Sequence, residues 1–355
     1  MKPIKVLLTA CGCPGASTLI HHLKNNGERK LEIVGTDMDP EAVGRFLTDG
    51  FHVVPEGSHE NYIPAMLDIV KKERPDVLLS EGDPEIYPLA CHREEFLDLG
   101  TTVMVSDPDA IRKATNKFEM YETLRTHGFK PLPEYRSAQT MDEFLDALAA
   151  LDYPDKPVVF KPHMGRGSRG VRILDEKADR RTLLMENKPV SKYMALDEFQ
   201  RIFRDDELPK FLLMEYLEGG EIATDIIAME GRELFTTVKT VETARWGVIV
   251  RGELIRRDDL VEQTRRILEA IPLSYCLNFQ FIADRLIEIN ARVSTFIYQE
   301  NLIAPYLAVK LAIGELSEEE TKAYTPKIDY GRRMVRYMDQ VFHRKGVLTK
   351  SYGRK

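Results

Sequence analysis

Four short apolar runs separated by amphipathic stretches fill residues 1 to 108, and that rhythm restricts this part of the chain to a βαβ plan. Ile4-Lys5-Val6-Leu7-Leu8-Thr9 reads as a buried strand, and a Gly/Pro turn from Cys11 to Gly15 opens a helix near Ala16. Leu31 to Gly35 predicts a second strand ending at Asp37; Asp76 to Ser80 and Thr101 to Ser106 predict two more. With helical crossovers the strands run parallel in a sheet covered on both faces, a doubly wound α/β domain. The turn carries Gly12 and Gly15, with Ala10 at the first glycine position of a dinucleotide fingerprint and Asp37 at the spacing of a ribose contact. Pro14, however, stands where a diphosphate would approach, and a glycine turn between strand and helix serves tight packing with or without a ligand.

Composition narrows the function classes. The 355 residues carry 50 Lys and Arg against 57 Asp and Glu, a formal charge of −7. A general nucleic-acid binder needs a positive footprint that this balance does not supply. No apolar stretch approaches the roughly 18 residues of a membrane span, and the N-terminal Val6-Leu7-Leu8 run is too short for an export signal. The four cysteines, Cys11, Cys13, Cys91 and Cys276, include a C-x-C pair but no second pair at zinc spacing. They are expected to be reduced structural thiols in a cytoplasmic protein.

Beyond a helical passage over 109–125, the chemistry concentrates in three places. Val158-Val159-Phe160-Lys161 is a short buried strand with a charge at its end, and it runs into a loop with Gly165, Gly167 and Gly170. Such a loop can turn backbone N–H groups toward an anion, with Arg166, Ser168 and Arg169 as further donors, although it also suits a simple hairpin. A buried strand-end lysine needs an anion or partner to offset desolvation. The second place is Phe211 to Glu221, an apolar strand running into an extended segment whose backbone could read an adenine edge, with Glu221 placed for ribose hydroxyls or merely solvated.

The third place is the most informative. Asn278-Phe279-Gln280-Phe281-Ile282 and Leu286-Ile287-Glu288-Ile289-Asn290 are alternating runs separated by Ala283-Asp284-Arg285. A three-residue loop would set Gln280 opposite Glu288 and Asn278 opposite Asn290 on one face, over an apolar layer on the other. Such oxygen donors suit Mg²⁺, which takes one or two carboxylates and leaves room for water and phosphates. Arg292 follows, where a cation could hold a transferring phosphoryl group.

Asn278-Phe279-Gln280-Phe281 followed by Glu288-Ile289-Asn290-Ala291-Arg292-Val293-Ser294 resembles the ATP-grasp superfamily, and more closely the synthetase unit of the carbamoyl-phosphate synthase large subunit. The resemblance covers most of the chain. It implies an N-terminal doubly wound (pre-ATP-grasp) domain over residues 1–108, an ATP-grasp N-terminal part with an α+β lid over 109–216, and an α+β metal-bearing part over 217–355. It implies that Lys117 and Lys161 contact ATP phosphates, with Gly165, Gly167, Ser168 and Gly170 in a lid loop. Glu215 and Leu217 would meet adenine through their backbone, and Glu221 would hold the ribose. Gln280, Glu288 and Asn290 would ligate Mg²⁺, with Mn²⁺ as an alternative ion, and Arg292 would act in catalysis by stabilising an acyl phosphate.

The expected activity is a carboxylate–amine ligase, or one using another nucleophile, that works through an acyl phosphate and releases ADP and phosphate. Two alternatives stay open: a stand-alone carbamoyl-phosphate synthase-like enzyme using bicarbonate and ammonia, and a nucleotide-binding sensor without turnover. The implied partners are small-molecule carboxylate and nucleophile substrates, with no nucleic acid and no membrane. A homo-oligomer is compatible with the sequence, and no glutaminase partner follows from a single synthetase unit. Neither Cys11 and Cys13 nor the Thr240 to Gly247 segment around the single tryptophan receives a role.

Overall fold

The computed structural model describes residues 2–165, 167, 169–186, 191–204, 207–245, 247–300, 302–344 and 347–351. Two units emerge from the contacts: one combines Met1–Ala114, Glu221–Gln280 and Ile289–Lys355, the other Thr115–Gly220 and Phe281–Glu288. The three-way division of the sequence remains our proposal for its functional parts.

In the first unit, β1 (Ile4–Leu8), β2 (Leu31–Asp37), β3 (Gly50–Val53), β4 (Val77–Leu79) and β5 (Thr102–Val103) form a parallel sheet in the order β3-β2-β1-β4-β5. The apolar runs become strands because they are buried: Val6, Leu7, Leu8, Leu78 and Leu79 are all in the core. β3 was not expected, since its Gly-Phe-His-Val sequence is short and only partly buried. The chain moves outward from β1 to β2 and β3, then returns to the other side of β1 for β4. This reversal sets the topological switch point between β1 and β4, and open α/β sheets generally bind ligands at the carboxyl ends of the strands at such a point. Helix Ala16–Lys24 buries Ala16, Leu19, Ile20 and Leu23 on one face, at helical spacing.

The second unit has an antiparallel-rich sheet of β6 (Tyr135–Ala138), β7 (Val158–Pro162), β8 (Arg172–Leu174), β9 (Tyr193–Met194) and β10 (Phe211–Glu215), ordered β6-β10-β7-β8-β9. Its core stacks Phe144 on Phe199 at 4.1 Å, with Phe160 and Phe211 edge-on to both. The helical passage over 109–125 is two helices, Pro108–Thr115 and Lys117–Thr126. Asn116 divides them, because its side chain accepts from the Phe118 and Glu119 amides at 3.2 Å and so caps the second.

A seven-stranded sheet comprises β11 (Glu221–Met229), β12 (Arg232–Val241), β13 (Thr243–Arg245), β14 (Val248–Ile255), β15 (Tyr275–Ile282), β16 (Arg285–Asn290) and β17 (Arg333–Val335). Its order is β13-β14-β12-β11-β15-β16, with β17 on β14; β18 (Val341–Arg344) and β19 (Val347–Ser351) form a separate pair. The β15–β16 turn contains two residues, Ala283 and Asp284, both at positive φ (+48° and +59°), not the three expected. Parity is restored differently: β16 breaks its alternation, with Ile287 and Glu288 both half-buried between buried Leu286 and Ile289. Among the described residues no helix is long and apolar enough to cross a membrane.

Candidate active site

Within the second unit, Lys117 and Lys161 converge although 44 residues separate them in sequence. Lys117 opens the helix that Asn116 caps, and its backbone N–H donates to the His163 carbonyl at 3.0 Å. That bond ties the helix start to the end of β7. Its ammonium, almost buried, donates to the Gly165 carbonyl at 3.1 Å and lies 3.8 Å from Glu288 Oε1. Lys161 lies on β7 between β10 and β8, and its ammonium donates to the Ile287 carbonyl at 2.9 Å. Burial lowers the Lys161 pKa to about 8; Glu288 works against the shift and Lys117 with it. Two buried cations therefore share one carboxylate, an arrangement short of negative charge and suited to a polyanion.

The surroundings hold this pair in place. His163 contacts the Ser137 hydroxyl at 3.0 Å and the Phe211 carbonyl at 3.2 Å while stacking on Phe118, and burial pushes its pKa down. The Tyr121 hydroxyl donates to the Leu286 carbonyl at 3.0 Å, anchoring the hairpin tip beside Glu288. The glycine loop needs its glycines: Gly167 and Gly170 have φ of +57° and +75°, and a Cβ on Gly170 would come within 2.7 Å of Pro162. Ser168 and Arg166 lie outside the described residues. At the end of β10 the Glu215 carboxylate pairs with Arg285 and accepts from the Glu134 amide at 2.8 Å. Its side chain is thus committed to structure, and its backbone N–H donates to the Glu134 carbonyl at 3.0 Å. Leu217, two residues on, is buried.

The first unit carries the remaining sequence-derived residues. Glu221 opens β11 opposite Val241, and Gln280 is half-buried near the end of β15. Asn290 is better defined. Asn278 donates from Nδ2 to Asp225 Oδ1 at 3.0 Å and to the Thr224 carbonyl at 3.2 Å, so its Oδ1 accepts from Asn290 Nδ2 at 3.2 Å. The Asn290 amide orientation, assigned from this network, leaves its oxygen as the atom available to a cation. Glu288, two positions earlier on β16, is the carboxylate that the sequence reading paired with it; carboxylate and amide oxygens are the hard donors that Mg²⁺ takes.

Asp225 is itself fully buried and paired with fully buried Lys239, whose ammonium also donates to the Thr295 carbonyl. The register explains the meeting: Asp225 faces Thr237 and Lys239 faces Ala223, so the two side chains lie diagonally on one face of β11 and β12. Burial pushes Asp225 up and Lys239 down, and their mutual attraction opposes both shifts. Arg292 is held bidentately by Asp83, with Nη2 2.9 Å from Oδ2, and also donates to the Val293 carbonyl at 3.0 Å. Sequence reading missed Asp83, Asp225 and Lys239, since their partners lie 14 to 209 residues away.

The N-terminal turn closes on itself. Asp37 accepts from the Gly12 amide at 2.6 Å through one oxygen and from the Asp39 amide at 2.9 Å through the other. Both oxygens are thus engaged by the turn, and a ribose contact would have to displace them. Cys11 and Cys13 are free thiols; burial is the chief cause of their raised pKa values, about 12 for Cys13, and such thiols are inert as nucleophiles. Trp246 lies outside the described residues.

One acid was not anticipated. Glu81, directly beyond β4, is 6% exposed, and its Oε2 has no hydrogen-bond partner among the described residues. Burial raises its pKa from 4.5 to about 8, against the pull of Arg292 and Arg336. Between those two values the native state binds more protons than the unfolded chain. The group's stabilising contribution is therefore complete below about pH 4.5 and is lost as the pH rises through about 8. Glu81→Gln is expected to flatten that decline, which has a limiting slope of about 1.4 kcal/mol per pH unit. Urea unfolding at about pH 5, 7 and 9 checks it; an unchanged slope would mean that Glu81 is ionised throughout.

Comparison with known proteins agrees with this architecture. Residues 6–104 match the family of PylC-like N-terminal domains, and residues 207–337 match the family described as ATP-grasp in the biosynthetic pathway with Ter operon. An uncharacterized protein y4rH of Sinorhizobium fredii (strain NBRC 101917 / NGR234) is 40% identical over 67 residues, 19% of this chain and 13% of that protein's length. Among solved structures, N5-carboxyaminoimidazole synthetase of Staphylococcus aureus complexed with ADP superposes with a TM-score of 0.63 at 14% identity, covering 88% of this chain and 78% of that one. A biotin carboxylase–β,γ-ATP complex from Campylobacter jejuni gives 0.61 at 15%, covering 89% and 72%. An L-amino acid ligase from Bacillus licheniformis gives 0.59 at 15%, covering 90% and 76%. At such identities the likeness is one of fold. The fold is thus similar to that of these proteins, with residues 6–104 similar to PylC-like N-terminal domains and residues 207–337 similar to the ATP-grasp family named above.

Proposed function

We propose that this protein is an ATP- and Mg²⁺-dependent ligase that activates a carboxylate as an acyl phosphate, joins it to an amine and releases ADP and phosphate. The observation that carries the reading is the buried pair Lys117 and Lys161 sharing Glu288, with the Gly165 carbonyl on the same ammonium. A phosphate chain supplies the negative charge that this arrangement lacks. In this reading the two lysines and the Gly165, Gly167, Ser168 and Gly170 loop hold the phosphates. The backbone of Glu215 and Leu217 meets adenine, and Glu221 holds the ribose. Glu288, Asn290 and Gln280 hold the cation, which supplies charge neutralisation for phosphoryl transfer when bound. Arg292, kept rigid by Asp83, steadies the charge that develops on the transferred group, so the protein works by positioning and electrostatics.

The fold neighbours include proteins named as an ADP complex, a β,γ-ATP complex and an amino acid ligase, which supports the nucleotide and the reaction class. The test is ADP release from ATP and Mg²⁺, or Mn²⁺, in the presence of pooled small carboxylates and amines. Release that requires one acid and one amine supports the ligase. Release stimulated by bicarbonate and ammonia alone would replace it with carbamoyl-phosphate formation, and nucleotide binding without turnover across all pools would replace it with a sensor.

A further inference from the structure

In the second unit the start of β16 meets three donors on three successive residues. The Leu286 carbonyl accepts from the Tyr121 hydroxyl at 3.0 Å, the Ile287 carbonyl accepts from the Lys161 ammonium at 2.9 Å, and the Glu288 carboxylate lies 3.8 Å from the Lys117 ammonium. β16 ends its sheet, so one of its edges has no neighbouring strand. In a regular strand successive carbonyls point to opposite edges. Here two in a row accept from side chains, and this is where β16 loses its alternation, at Ile287 and Glu288.

Two of the donors share one helix. Lys117 and Tyr121 stand four residues apart on Lys117–Thr126, hence on one face and about 6 Å apart along the axis. Leu286 and Glu288, two residues apart on a strand, are separated by about 6.6 Å, so one helical turn matches two strand residues. Tyr121 is the fixed member of the three. Its ring is fully buried and stacks on Tyr135 at 4.8 Å, and burial pushes its pKa up, which keeps the hydroxyl a donor. The lysines differ, because a charged phosphate oxygen is a stronger acceptor for an ammonium than a neutral carbonyl. Phosphates would draw both cations to themselves and leave the tyrosine hydroxyl where it is.

We infer that Tyr121 is the positioning residue for Glu288: its hydroxyl holds the hairpin tip, and with it the carboxylate, in place for a divalent cation while nucleotide engages Lys117 and Lys161. The inference rests on the ligase reading and adds the group that keeps a metal ligand of that reading in register. Tyr121 acts only through the Leu286 carbonyl and touches no reacting atom. Its loss should therefore weaken the cation and spare the nucleotide.

The test is Mn²⁺ titration of the full chain with saturating ADP, followed by electron paramagnetic resonance, while calorimetry gives the affinity for ADP alone. Tyr121→Phe keeps the buried ring and removes only the hydroxyl. Mn²⁺ affinity is expected to fall about 10-fold or more, as when a metal ligand loses its outer-shell partner. ADP affinity should stay within about twofold, which also shows that the variant folds. Tyr121→Met fills the same space without a hydroxyl and carries the same expectation if the phenylalanine variant does not fold. Tyr135→Phe is the control: its hydroxyl donates to Glu122 at 2.7 Å, so both affinities should stay within about twofold. Overturning results are unchanged Mn²⁺ affinity in Tyr121→Phe, equal losses in the two phenylalanine variants, or a folded Tyr121→Phe that no longer binds ADP. Failure of the native protein to bind ADP, or Mn²⁺ with it, would instead remove the ligase reading beneath the inference.

Discussion

Glu288→Gln is expected to lower ADP formation by at least about 100-fold, because loss of a metal ligand should exceed the 10- to 100-fold cost of losing an outer-shell partner. The substitution keeps the volume of the side chain and removes its charge. In the second unit that charge does two things: it lies 3.8 Å from the Lys117 ammonium, and it opposes the downward shift of Lys161. Without it, two buried cations face each other, so nucleotide should still bind, its phosphates now supplying all of the balancing charge. The signature is therefore a large fall in kcat and a higher Mg²⁺ requirement, with little loss of nucleotide affinity. ATP turnover unchanged in Glu288→Gln or Glu288→Ala would remove the metal assignment and leave Glu288 as a counter-ion for the lysines.

Lys239→Met is expected to cost about 3–5 kcal/mol of stability, because it leaves the fully buried Asp225 carboxylate without its ion-pair partner. Asp225 would answer by taking up a proton, since burial already pushes it upward and only Lys239 and Asn278 hold it down. The double variant Asp225→Leu with Lys239→Met should recover most of the loss, as replaced buried pairs often do. Recovery of stability need not restore the proposed metal site. Asp225 fixes the amide of Asn278, which in turn fixes Asn290. Urea unfolding follows the first effect, and Mn²⁺ binding in the presence of ADP follows the second. A single variant as stable as the native protein would show that the pair is neutral in the fold.

Much of the architecture was legible because burial and periodicity coincide. The runs at Ile4, Leu31, Val77, Val158 and Phe211 are apolar enough to demand two covered faces, and each became a strand close to its expected bounds. The hairpin turn was harder. Ala283-Asp284 lacks the glycine or asparagine that usually announces two positive φ values, so side-chain parity argued for one more residue. Parity failed there because β16 itself breaks step at Ile287 and Glu288. The meeting of Lys117, Lys161 and Glu288 was legible only through a family likeness, since residues so far apart share no local pattern. Glu81, Asp83 and Arg336 were illegible for the same reason. A glutamate after an apolar run looks solvated until the sheet order shows that it ends beside Gly15.

The eight residues Phe281–Glu288 belong by contact to a unit whose main body ends at Gly220. They bring the carbonyls that receive Lys161 and Tyr121, the arginine that holds Glu215 and the carboxylate that faces Lys117. During synthesis the second unit must therefore wait about 3–12 seconds for the 60 residues from Glu221 to Gln280, at roughly 5–20 residues per second, before its polar interior can be satisfied. The second unit is thereby finished only after most of the ribosome's work is done. A nascent chain stopped short of the hairpin would leave Lys161 without the Ile287 carbonyl and Lys117 with the Gly165 carbonyl but no carboxylate.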